Sequence, residues 1–190
     1  MLHILDLAVN AVEAGARTVR IRVVEDPERD RLEIRVADDG PGMTAEFLAR
    51  ALDRLVSTRA GHRRPIGLGF ALLRGTAEAC GGTFRVISRP GRGTLVEARM
   101  RRSHIDRPPV GDCAATVLGL VVANPEVGIR FTRGIGSRGY AFDSRTARRV
   151  LGGTEGLGRP EVVGWIRREL EQGERALVGE RLPGGDHGSG

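Results

Sequence analysis

The chain of 190 residues is 40% hydrophobic and 28% charged, which is typical of a soluble protein with one large domain, or one domain and a small appendage. It contains neither an apolar run of about 18 residues nor a basic, cleavable leader, so we expect a cytoplasmic protein without a membrane segment. The net charge is +6, but the arginines are dispersed and aromatic residues make up only 4%, which argues against a nucleic-acid partner.

The first predicted helix, residues 3–16, is apolar around most of its circumference. Its polar residues form one narrow stripe, because His3, Asp6, Asn10 and Glu13 follow one another at spacings of three and four. Burying a carboxylate and an amide together is costly unless a partner satisfies them. The stripe therefore faces a ligand, a metal ion or a polar network, unless the helix is partly exposed and the stripe faces water.

Strands and helices alternate along the next part of the chain. The hydrophobic periods and turn residues predict strands over 18–24 and 32–37 as an antiparallel pair, a helix over 44–55, a loop over 57–65, a helix over 67–80, and strands over 84–88 and 94–101. Helices on one face of a small mixed sheet make a two-layer sandwich of the α/β (α+β) class.

Two short glycine-containing segments stand at the ends of predicted elements. Asp38-x-Gly40-x-Gly42 follows a strand, and Gly67-x-Gly69 opens a helix. Glycines at such positions allow positive φ and close approach of the backbone to a ligand, and a helix N-terminus attracts anions. The alternative for Asp38-x-Gly40-x-Gly42 is an ordinary tight turn.

The loop over 57–65 is polar, basic and longer than most connections. Long loops of this kind often close over ligands, and Arg59, Arg63 and Arg64 are suited to phosphate. A solvated loop without a ligand is equally compatible with the composition.

Four motifs occur in the order of the ATP-binding domain shared by gyrase B, Hsp90, MutL and histidine kinases, known as the GHKL or Bergerat fold. Asp6-x-x-x-Asn10-Ala11 resembles the N box, Asp38-x-Gly40-x-Gly42 the G1 box, Gly67-x-Gly69 the G2 box, and Gly91-x-Gly93-Thr94 the closing hairpin of histidine-kinase domains. The resemblance covers residues 1–101 and implies a Bergerat ATP-binding fold there.

This resemblance also implies roles for individual residues. Asn10 would coordinate Mg²⁺, Asp38 would accept a hydrogen bond from the adenine amino group, and Thr94 would reach the base through water. Asp6 stands where hydrolysing members carry Glu, so it is the candidate catalytic carboxylate, although it is one methylene shorter. The implied nucleotide-binding residues are Asn10, Asp38, Gly40, Gly42, Met43, Arg59, His62, Arg63, Gly67, Leu68, Gly69 and Thr94.

Residues 104–181 are predicted to form an α+β extension of unknown role, and residues 182–190 a disordered tail. The predicted elements are a helix over 110–123, a hairpin of strands 127–133 and 139–142, a helix over 143–151 and a last helix from Pro160. No catalytic constellation occurs here, which favours a packing or interaction role. The linker over 103–112 resembles that of small stand-alone bacterial ATP-binding proteins found beside NADH-linked or iron-hydrogenase genes.

These features lead to three functional hypotheses. The first is an ATP-Mg²⁺-binding, histidine-kinase-like module with kinase or slow ATPase activity towards a partner protein, such as a hydrogenase- or NADH-oxidoreductase-associated or signalling protein. The second is a non-catalytic switch that ATP closes. The third is a serine kinase resembling anti-sigma factors. The sequence does not decide among them, and it leaves open whether the protein forms a homodimer.

Overall fold

The computed structural model describes residues 2–53, 68–154 and 156–179. Six helices and six strands lie within these ranges. The helices are α1 (Leu2–Glu13), α2 (Ala45–Asp53), α3 (Leu68–Ala79), α4 (Cys113–Ala123), α5 (Ser144–Leu151) and α6 (Pro160–Val178). The strands are β1 (Thr18–Asp26), β2 (Arg31–Asp38), β3 (Thr83–Arg89), β4 (Gly93–Arg101), β5 (Gly128–Ile135) and β6 (Arg138–Asp143).

The strands form a single mixed sheet in the order β3-β4-β2-β1-β5-β6. β1 and β2 pair antiparallel with Val23 opposite Ile34, as the sequence predicts. β1 also pairs with β5, and this pairing is parallel with Val23 opposite Arg133. The predicted class, a mixed sheet covered by helices, is confirmed, and the sheet is two strands wider than the first 101 residues alone would make it.

Alternation along the strands gives the sheet two different faces. On one face, Val19, Ile21 and Val23 of β1 are buried with Leu32 and Val36 of β2, beneath α1 and α3. Intervening residues point to the other face, where Arg20 and Arg22 are exposed. The apolar face therefore fixes which side of each strand meets the helices.

Several element boundaries differ from the predicted ones. The helix predicted from Val110 begins at Cys113, because Gly111 has a φ of +78° and the Asp112 side chain caps the helix by accepting a hydrogen bond from Ala115 N at 2.8 Å. β5 continues to Ile135, beyond the predicted end at 133. The turn of that hairpin is therefore shorter than predicted.

The C-terminal residues extend the sheet of the N-terminal part. β5 lies beside β1, α4 contacts α1 and β5, and α6 contacts α4, β5 and β6. Apolar residues from both parts belong to one core, including Ile4 and Leu73 together with Val117 and Ile166. A domain boundary near residue 101 stays a prediction, and the tail over 182–190 lies outside the described residues.

A buried ion pair joins β5 to β1. Arg133 Nη2 donates to Glu25 Oε1 at 2.6 Å, and Arg102 Nε donates to Glu25 Oε2 at 2.8 Å. The Arg133 and Glu25 side chains are only 6% and 8% exposed. Burial acts to raise the pKa of Glu25, but the hydrogen bonds and charges of Arg133 and Arg102 outweigh it and hold this pKa below its usual value. Glu25 is therefore ionised and paired in the folded protein.

We expect Glu25→Gln to destabilise the fold by about 3 kcal/mol, because the buried Arg133 guanidinium then keeps only the more distant Glu174 carboxylate, 3.9 Å from its Nε, as a counter-charge. The depressed pKa means that this stabilisation is present above the unfolded-state pKa of about 4.3 and is lost as the pH falls through the folded-state pKa. Urea unfolding at several pH values measures both effects.

The exposed Glu28→Gln change is the matched control, and it should leave the free energy of unfolding nearly unchanged. Adding Arg133→Met to Glu25→Gln should restore part of the loss, since the poorly compensated buried guanidinium is then removed. Equal effects of Glu25→Gln and Glu28→Gln would show that the pair contributes nothing.

Candidate functional site

A cavity of about 350 Å³ lies between α1, the end of β2, the segment after β2 and the start of β4. Five residues predicted to bind nucleotide line it: Asn10, Asp38, Gly42, Met43 and Thr94. Asn10 comes from α1, Asp38 from β2 and Thr94 from β4, so the sheet and its covering helix bring together residues that are distant in the sequence.

The wall of this cavity is largely apolar. The side chains that provide it, none of which the sequence singled out for the site, are Leu7, Val36, Phe47, Phe70 and Val96. An apolar cavity with a few polar groups is the usual form of a small-molecule site. In the sequence these residues are marked only by the hydrophobic periodicity of their helices and strands. That periodicity predicts burial, but it does not distinguish a core residue from one in a pocket wall.

The Asp38 carboxylate is the most constrained polar group of the cavity. Its Oδ1 accepts hydrogen bonds from Gly40 N at 2.9 Å and Thr94 N at 3.3 Å. Burial raises the pKa of Asp38, while these two hydrogen bonds act in the opposite direction. In the part of the chain that the structure describes, the hydrogen bonds to Asp38 end on Oδ1, so Oδ2 is the oxygen available to a ligand donor.

The segment after β2 is tied to the β3–β4 hairpin through Ser88. Met43 N donates to Ser88 Oγ at 2.8 Å, and Ser88 Oγ lies 2.9 Å from Thr94 Oγ1. Gly91 N donates to Pro41 O at 2.7 Å across the same junction. Ser88 was missed in the sequence, where it is one hydroxyl residue in a predicted strand. It positions two of the residues that line the cavity.

Two glycines allow the backbones at this junction to touch. A Cβ on Gly42 would stand 2.0 Å from the carbonyl oxygen of Arg89, and a Cβ on Gly93 would stand 2.0 Å from the carbonyl oxygen of Asp38. Both residues also have positive φ, +65° and +82°. The close approach expected at Gly42 is therefore to the hairpin of the protein itself.

We expect Gly93→Ala to unfold the site or lower the melting temperature severely, because a side chain there overlaps the Asp38 backbone. Gly91→Ala is the matched control in the same turn. Gly91 has a φ of +71°, but a Cβ there has open space, so it should cost only the about 1–2 kcal/mol of left-handed strain. Thermal unfolding compares the two variants, and similar losses would contradict the close-contact explanation.

The polar stripe of α1 divides between two environments. Asn10 and Glu13 line the cavity, whereas Asp6, the candidate catalytic residue, packs beside Gly69 of α3. A Cβ on Gly69 would stand 3.0 Å from the Asp6 Cβ, so glycine lets the two helices approach. Burial lowers the pKa of His3, at the start of the stripe.

Four predicted binding residues, Arg59, His62, Arg63 and Gly67, lie outside the described residues. α3 begins at Leu68, of which only the backbone is described, and the buried Gly69 follows it. Gly40 donates its N–H to Asp38 and is buried beside the cavity. The structure therefore describes the residues expected at the base, together with Asn10, and the contacts expected from Arg59, His62, Arg63 and Gly67 stay predictions.

The donor groups present fit the metal ion that the resemblance implies. Mg²⁺ takes oxygen ligands, keeps several waters and uses few protein side chains when phosphates are available. The Asn10 amide supplies one such oxygen on the cavity wall, and the Glu13 carboxylate lies one turn further along α1. These residues suit a metal ion that is bound mainly by a nucleotide.

Residues 1–104 match the family of histidine kinase-, DNA gyrase B- and HSP90-like ATPases. The chain belongs to this family. The predicted resemblance is thus confirmed over the same part of the chain, and this part is the ATP-binding, kinase-like module of the family. In the described residues, no helix combines the length and the apolar character needed to cross a membrane.

Similar curated proteins include sensor histidine kinases. ZraS of Klebsiella oxytoca is 40% identical over 96 residues, which cover 48% of this chain and 20% of that protein. AruS of Pseudomonas aeruginosa is 36% identical over 132 residues, which cover 64% of this chain and 13% of that protein. The chain therefore spans a fifth or less of the length of these relatives.

A solved structure with a similar outline is the Aquifex aeolicus MutL ATPase domain complexed with ADP. It is 15% identical, with a TM-score of 0.46, over 95% of this chain and 96% of that chain. Similarity at this level does not bear on function.

Proposed function

We propose that the cavity binds ATP with Mg²⁺ and that the module uses it in kinase or slow ATPase activity directed at a partner protein. The observation that supports this most is that Asn10 and Asp38, the metal and adenine residues implied by the family, line the same cavity. The identity of the partner and the formation of a homodimer stay predictions.

Asp38 selects the base in this proposal. Its Oδ2 accepts a hydrogen bond from the adenine amino group, while Oδ1 is held by Gly40 N and Thr94 N. Guanine carries a carbonyl oxygen at the corresponding position, which a carboxylate repels. Phe47 and Phe70 contribute apolar surface for the rings, so the base is bound by stacking area and identified by one polar contact.

Asn10 serves the other end of the nucleotide. Its amide oxygen holds the metal ion, which when bound neutralises charge on the phosphates. The N-terminus of α3 lies within the predicted G2 box and offers backbone N–H groups to the phosphates, with Arg59, His62 and Arg63 as predicted loop contacts.

The non-catalytic switch is the second candidate, and the shorter side chain of Asp6, where hydrolysing members carry Glu, favours it. Asp6 packs beside Gly69 and is not among the residues that line the cavity. A carboxylate that activates water must reach the attacked phosphate directly or through one water molecule. In the switch hypothesis, bound ATP closes the site without being hydrolysed. α4, which contacts α1, transmits this conformational change to the C-terminal residues.

We expect Asp38→Asn to weaken ATP binding by about tenfold or more, equivalent to about 1.4 kcal/mol, because the new amide presents a donor or a weaker acceptor to the adenine amino group. Asp39→Asn is the matched control. The Asp39 Oδ1 accepts hydrogen bonds from Arg17 N and Thr18 N, both at 2.8 Å, which an amide oxygen also accepts. Titration with a fluorescent ATP analogue measures both, and equal affinity of the Asp38→Asn and wild-type proteins would contradict the proposal.

One incubation with γ-labelled ATP and Mg²⁺ separates the candidate activities. Turnover in the wild type that disappears in Asn10→Ala supports an enzyme and rejects the switch. Nucleotide binding without released phosphate or labelled protein supports the switch. Acid stability of any protein label distinguishes phosphoserine from acid-labile phosphohistidine, so the serine-kinase hypothesis is tested in the same samples.

A further inference from the structure

The sheet face opposite the helices carries a field of arginines, which we call the arginine face. Its members come from five of the six strands and are Arg20, Arg22, Arg35, Arg85, Arg99 and Arg130. All six arginines are exposed or partly exposed to solvent. Such a face needs an explanation, because arginines in neighbouring strands repel one another.

Part of the arginine face is neutralised from within. Glu33 and Glu97 are buried between arginines, with Arg99 Nε donating to Glu33 Oε2 at 3.1 Å and Arg35 Nε 2.7 Å from Glu97 Oε2. Arg85 Nη2 also lies 3.6 Å from Glu97 Oε1. These pairs hold the middle of the face together and account for Arg35 and Arg99.

The β1 arginines are not accounted for in this way. Arg22 stands directly opposite Arg35, and Arg20 directly opposite Arg130, which is itself paired with Asp143 at 2.8 Å. The Arg22 side chain is 51% exposed and its Nε is 3.9 Å from Glu33. Among the described residues, no carboxylate lies within ion-pair distance of Arg20. Two positive charges therefore stand in one line on β1 with little compensation.

An apolar strip continues the row that contains Arg20. Ala37 of β2 is opposite Arg20, Leu95 of β4 is opposite Ala37, and Ile87 of β3 is opposite Leu95. Ile87 is 41% exposed, and Leu95 and Ala37 are partly exposed. One row of the sheet is thus apolar over three strands and cationic on the next strand.

This row lies directly behind the nucleotide cavity. Ala37 precedes Asp38, Thr94 precedes Leu95, and successive residues of a strand point to opposite faces. A molecule resting on the row therefore contacts the same strand segments that hold the adenine-binding groups on the other side.

We propose that the arginine face at this row is the docking surface for an acidic protein segment that also carries apolar side chains. Its carboxylates pair with Arg20 and Arg22, and its apolar side chains cover Ile87 and Leu95. Protein is favoured over nucleic acid because the row is apolar over three of its four strands and offers no aromatic side chain for stacking bases. This inference rests on the proposed function in one respect: it takes the acidic segment to belong to the partner protein on which the module acts.

The test measures binding of a fluorescein-labelled peptide of alternating Glu and Leu to the full 190-residue protein. Wild-type protein is expected to bind it with an affinity that falls as salt rises. The double change Arg20→Glu with Arg22→Glu should weaken binding about tenfold or more, because two attractions become two repulsions. Ile87→Ser should weaken binding with little change in salt dependence.

The matched control is Arg167→Glu with Arg168→Glu, which makes the same charge change on the exposed surface of α6. It should leave peptide binding near the wild-type value. An equal loss in this control, or no binding by the wild type, would overturn the proposal. Binding of a double-stranded DNA oligonucleotide that is tighter than the peptide and lost in the β1 double variant would overturn it in favour of nucleic acid.

ATP-analogue titration of the same variants keeps this inference separate from the proposed function. The β1 double variant should bind the analogue as the wild type does, which also shows that it is folded. If the wild-type protein binds the peptide but not the nucleotide, the docking surface is supported and the ATP site is rejected. If it binds the nucleotide but not the peptide, the ATP site is supported and the docking surface is rejected.

Discussion

The contact between the backbone after β2 and the β3–β4 hairpin is the constraint on which the site depends. Gly93 lets the hairpin touch the carbonyl of Asp38, and the next residue, Thr94, then donates its N–H to the Asp38 carboxylate. One oxygen of that carboxylate is fixed by the protein, which leaves the other for a ligand. Preorganisation of this kind reduces the entropy lost on binding. The same contact holds Met43 through its hydrogen bond to Ser88. One junction therefore positions both the polar group Asp38 and part of the apolar wall of the cavity.

The C-terminal residues complete the structure that carries the site. β5 adds to the sheet beside β1, α4 packs on the helix that bears Asn10, and the Arg133–Glu25 pair closes the junction. A buried pair contributes little net stability compared with apolar residues, but it penalises any arrangement that separates its members. Its effect is therefore to fix how β5 sits against β1. Tyr140 and Glu174 continue this polar contact to α6 through a hydrogen bond of 2.8 Å.

Local pattern was sufficient for much of the fold and for the centre of the site. Asn10 was singled out by the polar stripe of the first helix and its resemblance to the N box, and Asp38 by its resemblance to the G1 box; both line the cavity. The β1–β2 pair was predicted because a short turn joins two alternating strands. The parallel pairing of β1 with β5 could not be found in this way, since nothing local specifies a partner so distant in the sequence. Glu25 illustrates the same limit, because its partners Arg102 and Arg133 are 77 and 108 residues away. Ser88 and the phenylalanines of the cavity wall become functional only through tertiary packing.

The position of β5 has a practical consequence for work on the nucleotide module. The part of the chain that matches the ATPase family ends at residue 104. β5, which pairs with β1 along most of the length of β1, lies after that residue. A chain cut at residue 104 would leave the hydrogen-bonding edge of a nine-residue, Val- and Ile-containing strand open to solvent. Open edges of this kind recruit strands from other molecules and promote aggregation. The family match and the sheet that carries the site therefore end at different points of the same polypeptide.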